Sequence, residues 1–280
     1  MAVAQSQHWW SEHIPVLDDV EALDLPPGRP FEAPTGGFGW LCDADKEHSA
    51  GWWLTWAQCF TETGLWPIGT FNPRWEEWGL GTQRWGEPWD HHPYRIPSDV
   101  LANAQEFRDE NPDWFDGDDS DSIEDEAADY VTWPPHLELA APSVLPDDLL
   151  STLGPVPYSE QLVLVPCHRP ADAPLALDFG IPNEGITPGI MTGVLRSWEQ
   201  RFGLVPVEFA VEWTGFQVVA PPTDRAAIER LAEEVTIFAI DSVSQGGIHA
   251  SDDTTQHLFY TDFTSPDVFV TKRNWGIWWD

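Results

Sequence analysis

The alternation of hydrophobic and polar positions is clearest toward the C-terminus. Leu162 to Val165 is an unbroken aliphatic run, which predicts a central strand flanked on both edges. Ile190, Met191, Val194, Leu195, Trp198 and Phe202 then recur at helical spacing, with Thr187 placed to cap the helix, Pro188 at its first position and Gly203 to stop it. From Val205 to Trp213 the odd positions are Val205, Val207, Phe209, Val211 and Trp213, and the even ones Pro206, Glu208, Ala210 and Glu212. That alternation predicts a half-buried strand, and Pro206 places it at a sheet edge. Thr214-Gly215 predicts a tight turn into a strand over Phe216 to Ala220. A second helix follows Pro222, capped by Thr223, with Ala227, Ile228, Leu231 and Val235 facing inward, and Trp275 to Trp279 reads as a final strand. The order strand, helix, strand, strand, helix, strand predicts a ferredoxin-like βαββαβ domain of the α+β class. Both helices would cover one face of an antiparallel sheet, leaving Glu208, Ala210, Glu212 and Gln217 on the open face.

The N-terminal region is patterned less regularly. Asp18 to Leu23 reads as a short helix, Phe38 to Cys42 as a strand, Trp52 to Thr63 as a helix and Leu65 to Ile68 as a strand, with Gly64 suited to a left-handed helix end. From Phe71 to Pro97, Trp75, Trp78, Trp85 and Trp89 sit amid Gly and Pro without a steady period, which predicts an irregular packed loop. Thirteen of the 18 Trp lie between Trp9 and Trp133, which marks this part of the chain as a Trp-rich α+β unit.

Charge subdivides the chain further. Asp109 to Asp129 holds 11 acids and no base, and Pro134, Pro135, Pro142, Pro146, Pro155 and Pro157 follow. Such a run repels itself and the prolines stiffen what comes after, which predicts a connector over 109–157 between a unit at 1–108 and a domain at 158–280. The whole chain of 280 residues carries 47 acidic and 13 basic side chains, a net charge of −34. Phosphate backbones and anionic membranes both select clustered Lys and Arg, so nucleic-acid and membrane-surface binding are excluded as expectations. The stretch Met1 to Glu12 lacks a signal peptide's basic start and apolar core, and three isolated cysteines give no disulfide framework, so a cytoplasmic protein is expected.

Candidate chemistry is sparse. Cys167-His168 places a thiol beside an imidazole, but neighbours at a strand end point to opposite sides. Asp90-His91-His92 with His8 or His13 lacks zinc-ligand spacing. An EF-hand register starting at Asp116 puts Asp121 at the turn glycine and Ala127 at the bidentate Glu, and fails. Gly36-Gly37-Phe38-Gly39 precedes a strand rather than opening a helix, so it is no nucleotide loop. No catalytic, cofactor or metal residue is assigned.

Four stretches carry a family resemblance. They are Ser197 to Gly203 (Ser-Trp-Glu-Gln-Arg-Phe-Gly), Pro221-Pro222 with Leu231 to Glu234, Asp241 with Gln245-Gly246, and the closing Trp275-Gly276-Ile277-Trp278-Trp279-Asp280. In that order they resemble domain of unknown function family 4253 over about residues 160–280, and Gly64-Leu65-Trp66-Pro67 is similar to a motif of its longer actinobacterial members. The resemblance implies no activity, substrate or cofactor.

The charge and the Trp enrichment together point to a non-catalytic interaction protein for a basic protein partner, as an immunity or antitoxin-like inhibitor or a DNA mimic. Trp198, Glu199, Arg201, Glu208, Glu212, Asp241, Trp278, Trp279 and Asp280 form the expected binding surface. Two alternatives stand beside it: a carboxylate-dependent enzyme, metal-assisted or not, built on Glu199, Glu212, Asp241 and Asp280, and a salt-adapted protein whose charge serves solubility alone. Partner identity and oligomeric state are left open.

Overall fold

The computed structural model describes residues 26–32, 38–43, 48–70, 139–157, 159, 161–181, 186, 188–210, 213–256, 258 and 263–279. The expected helix at 18–23, the Trp-rich stretch 71–97, the acidic run 109–129, the His91-His92 cluster, the 116–127 register and Thr187 lie outside them.

Eight strands form one sheet: β1 (Gly28–Glu32), β2 (Phe38–Cys42), β3 (Leu65–Thr70), β4 (Gln161–Pro166), β5 (Leu204–Ala210), β6 (Trp213–Val218), β7 (Ile248–Ser251) and β8 (Asn274–Trp278). Their spatial order is β1-β2-β4-β3-β5-β6-β8-β7. Every pairing is antiparallel except β3 with β5. The mixed α+β class is as expected, but the strand order differs from the ferredoxin-like one. A ferredoxin-like sheet would seat β4 between β6 and β8; here β6 pairs directly with β8, and β4 lies between β2 and β3, which separates it from β5.

That position of β3 joins the two expected units. It pairs along its length with β4, from Leu65↔Pro166 to Thr70↔Gln161, and meets β5 at Gly69↔Glu208. Its six residues are all buried, as suits a strand with neighbours on both edges and layers on both faces. Gly64 ends the preceding helix with φ of 65°, the left-handed geometry its lack of a Cβ permits.

Seven helices accompany the sheet among the described residues: α1 (Ser49–Gln58), α2 (Phe60–Thr63), α3 (Ala173–Leu177), α4 (Pro188–Phe202), α5 (Arg225–Phe238), α6 (Ile240–Gln245) and α7 (Pro266–Phe269). The single helix expected over 52–63 is thus two, broken at Cys59. α4 runs from Pro188 to a left-handed Gly203, as its punctuation predicts. α5 is capped by Asp224, whose carboxylate accepts the Ala227 N–H at 3.1 Å, rather than by Thr223. Trp198 on α4 packs edge-on against Phe238 of α5 and Trp275 of β8, so both long helices share one face of the sheet. Trp53 of α1 and Phe60 of α2 meet Trp66 of β3 edge-on.

Three further expectations change. Pro206 does not mark an edge: β5 is internal, and the proline sits at a register shift before Glu208, where its carbonyl accepts the indole N–H of Trp66 at 2.9 Å. The indole thus satisfies the Pro206 carbonyl at the shift, where proline itself has no N–H to give to the ladder. Thr214 and Gly215 are not a turn; both pair inside β6. The face expected to be open is covered, since Glu208 and Gln217 are buried. Residues 139–157, the end of the expected connector, provide part of that cover. The Ser143 N–H bonds the Arg201 carbonyl at 2.9 Å, and Gly154 then exchanges two 3.0 Å hydrogen bonds with the Gln217 amide.

Without β3, the facing edges of β4 and β5 lose their partner, and each unmet buried backbone group costs about 1–3 kcal/mol. A fragment of residues 139–280 is therefore expected to show no cooperative urea transition, and to regain one when residues 1–138 are supplied as a separate chain. A cooperative transition of the fragment alone would show that β3 is dispensable.

Candidate functional site

Of the nine residues expected on a binding surface, five are interior. Trp198 and Trp279 are fully enclosed, and Glu199, Glu208 and the guanidinium of Arg201 are buried or nearly so. Trp278 is half-buried. Glu212, Asp280 and the side chain of Asp241 lie outside the described residues, and α6 carries the Asp241 backbone. The physical reason is helical geometry: 198 and 202 lie on the stripe that meets the sheet, and 199 and 201 flank it close enough to be covered.

Two polar clusters hold these residues. In the first, Glu234 of α5 receives Arg201 at both oxygens, Nη1 to Oε1 at 2.8 Å and Nη2 to Oε2 at 2.5 Å. The same carboxylate accepts the indole N–H of Trp198 at 3.0 Å and the backbone N–H of Ala140 at 2.8 Å. Arg201 also donates to the Ala140 carbonyl at 3.1 Å. This bidentate pair fastens α4, α5 and the covering segment at one point. Glu234 was not among the expected residues, although the sequence marks it: with Ala227, Leu231 and Phe238 it falls on the inner stripe of α5.

In the second cluster Glu199 accepts the Arg169 guanidinium, with Nε at 2.5 Å, and the Ala171 N–H at 3.2 Å. Burial still pushes its carboxyl upward, against the lowering effect of Arg169. Arg196 donates to Asp172 at 2.6 Å in the adjacent 3-10 turn, Pro170–Asp172. The nearby Cys167 thiol is pushed well above its usual range by burial and then by the Asp172 charge, which keeps it protonated and a poor nucleophile. His168 beside it is exposed.

Glu208 differs from all of these. It is 4% exposed, its Oε1 has no hydrogen-bond partner, and burial alone pushes its carboxyl up to about 8. The strand register sets it in a row that crosses five strands: Gly69, Glu208, Gly215, Gly276 and His249. Paired residues share a face, so three glycines leave that row without side chains beside Glu208. Among the described residues no group of three or more His, Cys, Asp or Glu is placed to hold a metal ion, and no helix is long and apolar enough to cross a membrane.

Two stability outcomes follow. Glu234→Ala strands the Arg201 charge and the Trp198 N–H, and is expected to cost about 3–5 kcal/mol in urea unfolding, the range for breaking one side of a buried ion pair; a loss under 1 kcal/mol would contradict the clamp. Glu208 works through pH. The folded protein keeps its proton up to about pH 8 while the unfolded chain releases it near 4.5, so stability falls as pH rises between those values. The ionised form costs on the order of 5 kcal/mol above both values. In Glu208→Gln this part of the decline is expected to vanish, and an unchanged pH profile would show that Glu208 is not the group responsible.

Comparison with curated proteins and with solved structures returns no match. Over residues 161–280, which hold the long helices, the Arg201–Glu234 clamp and Glu208, the chain matches the family model described as a domain of unknown function (DUF4253).

Proposed function

We propose that the protein is a non-catalytic acidic module that binds a basic protein, in the manner of an immunity or antitoxin-like inhibitor or a DNA mimic. The observation that supports this reading is the fate of the few cations. Arg169 and Arg196 pair with the buried carboxylates of Glu199 and Asp172 from partly exposed positions, and Arg201 pairs with Glu234 in the interior. Setting those three pairs aside, the 13 basic and 47 acidic residues reduce to 10 against 44 for the rest of the chain. Three of the basic side chains are engaged by buried carboxylates, while Arg225 and Lys272 pair with acids at the surface. A field of one sign accelerates encounter with an oppositely charged surface and repels nucleic acid. The interior positions of Trp198 and Trp279 move the contact away from those rings and onto the exposed acidic side chains. The carboxylate-enzyme alternative loses Glu199 as a free group, because Arg169 and the Ala171 N–H occupy it.

Affinity capture from host lysate at low salt, followed by titration of the purified captured protein, tests this. A basic protein bound at fixed stoichiometry is expected, with affinity falling steeply as salt is raised and duplex DNA competing if the acids mimic phosphates. No stoichiometric partner, together with stability that climbs with molar KCl, would assign the charge to salt adaptation.

A further inference from the structure

The row across β5, β6, β8 and β7 has the form of a small slot. Glu208, Trp213, Gln217 and Gly276 are all buried, yet Gly215, which lies among them, is partly exposed. An opening therefore reaches the sheet at Gly215. A Cβ placed there would stand 3.8 Å from the Glu208 Oε2 and 3.4 Å from its Cβ, so the carboxyl leans over the glycine. On the opposite side the indole of Trp213 lies across Gly276, so closely that a Cβ on Gly276 would be 2.3 Å from the ring. The Gly154–Gln217 hydrogen bonds close a third side.

A buried carboxyl without a partner is costly, and folds normally satisfy or replace such groups. Here it is retained beside an aromatic ring and over Gly215, while Ser159 fills the space over Gly69 and Trp213 with Leu258 the space over Gly276. We propose that the slot over Gly215 binds a small organic cation, a primary ammonium on a short apolar chain, with the charge on the Glu208 carboxylate and the chain against Trp213. An ammonium supplies the donors that Glu208 lacks, and an aromatic wall favours a cation. The net charge of −34 draws cations to the protein. A metal ion fits less well, because it needs several oxygen or nitrogen ligands and the described residues offer no such group.

Among the described residues, the charged side chains packed against β5 are already paired. Arg169, Asp172, Arg196 and Glu199, on the turn and helix packed against β5, pair among themselves. β3 and β6 carry no ionisable side chain, and His249 of β7 is the titratable neighbour on the slot's far side, its ring 5.9 Å from that of Trp213. Binding an ammonium therefore converts Glu208 from acid to carboxylate and releases one proton. Below about pH 8 the apparent affinity should rise about tenfold per pH unit and flatten above it.

The test is titration of the full-length protein with n-propylammonium chloride, followed by carboxyl 13C NMR and by calorimetry in buffers of different ionisation enthalpy. Saturable binding is expected, with one proton released per amine at pH 6.5 and the Glu208 resonance moving to its ionised position. Glu208→Gln should abolish binding. Gly215→Ala, whose new methyl makes only ordinary contacts, should also abolish it while the Glu208 resonance still titrates near 8. Cooperative unfolding of each variant shows that it is folded. Three results would overturn the proposal: no saturable binding, binding that survives in both variants and so belongs to the acidic surface, or a Glu208 response to Mg²⁺ or Ca²⁺ without one to the amine.

Discussion

A strand inside a sheet presents hydrogen-bonding groups along both edges, and both sets must be met because water does not reach them. In this protein that constraint falls on β3. It comes from the N-terminal part of the chain, yet it stands between β4 and β5, two strands of the C-terminal DUF4253 segment. The matched segment is therefore not a closed unit in this chain: the centre of its sheet is supplied from outside it. Trp66 makes the dependence specific, because its indole N–H serves the Pro206 carbonyl at the point where proline interrupts the ladder.

The helical layer rests on the sheet through rings and through one polar knot. Trp198, Phe238, Trp275 and Trp279 pack edge-on in sequence across α4, α5 and β8. Aromatic edges placed against faces add about 0.5–1.5 kcal/mol per pair beyond the area they bury. Glu234 then sets the orientation of both helices, since its two oxygens are filled by Arg201, Trp198 and Ala140 together. Ala140 brings in the segment that leads across to the other face, so the same carboxylate that aligns the helices also anchors the cover over Gln217.

Local elements were legible in the sequence wherever a period and its punctuation agreed. β2, α4 and β8 lie close to where Phe38 to Cys42, Pro188 to Gly203 and Trp275 to Trp279 place them. Strand order was not legible, because Val163 or Phe216 is equally at home beside any apolar neighbour; nothing local says that residues 65–70 insert between 161–166 and 204–210. Burial of the polar residues was missed for a related reason. Period-two alternation assigns Glu208 to a second face without saying whether that face is covered, and its cover comes partly from residues more than 50 positions away. The register shift between Pro206 and Glu208 also reverses the alternation, so that Leu204 and Pro206 share a face with Phe216 while Glu208 and Ala210 share one with Gly215 and Trp213. The surface charge was legible from composition, but its internal partition was not: which arginines are spent on buried carboxylates depends on how α4 and α5 dock.

The integration of β3 can be read residue by residue from native-state amide hydrogen exchange. With β3 built into the centre of one cooperative sheet, its amides should exchange as slowly as those of β6 and β8 and only through global unfolding. Amides of β3 that exchange orders of magnitude faster, while β5, β6 and β8 stay protected, would contradict the account and leave residues 161–280 as a domain that holds together without it.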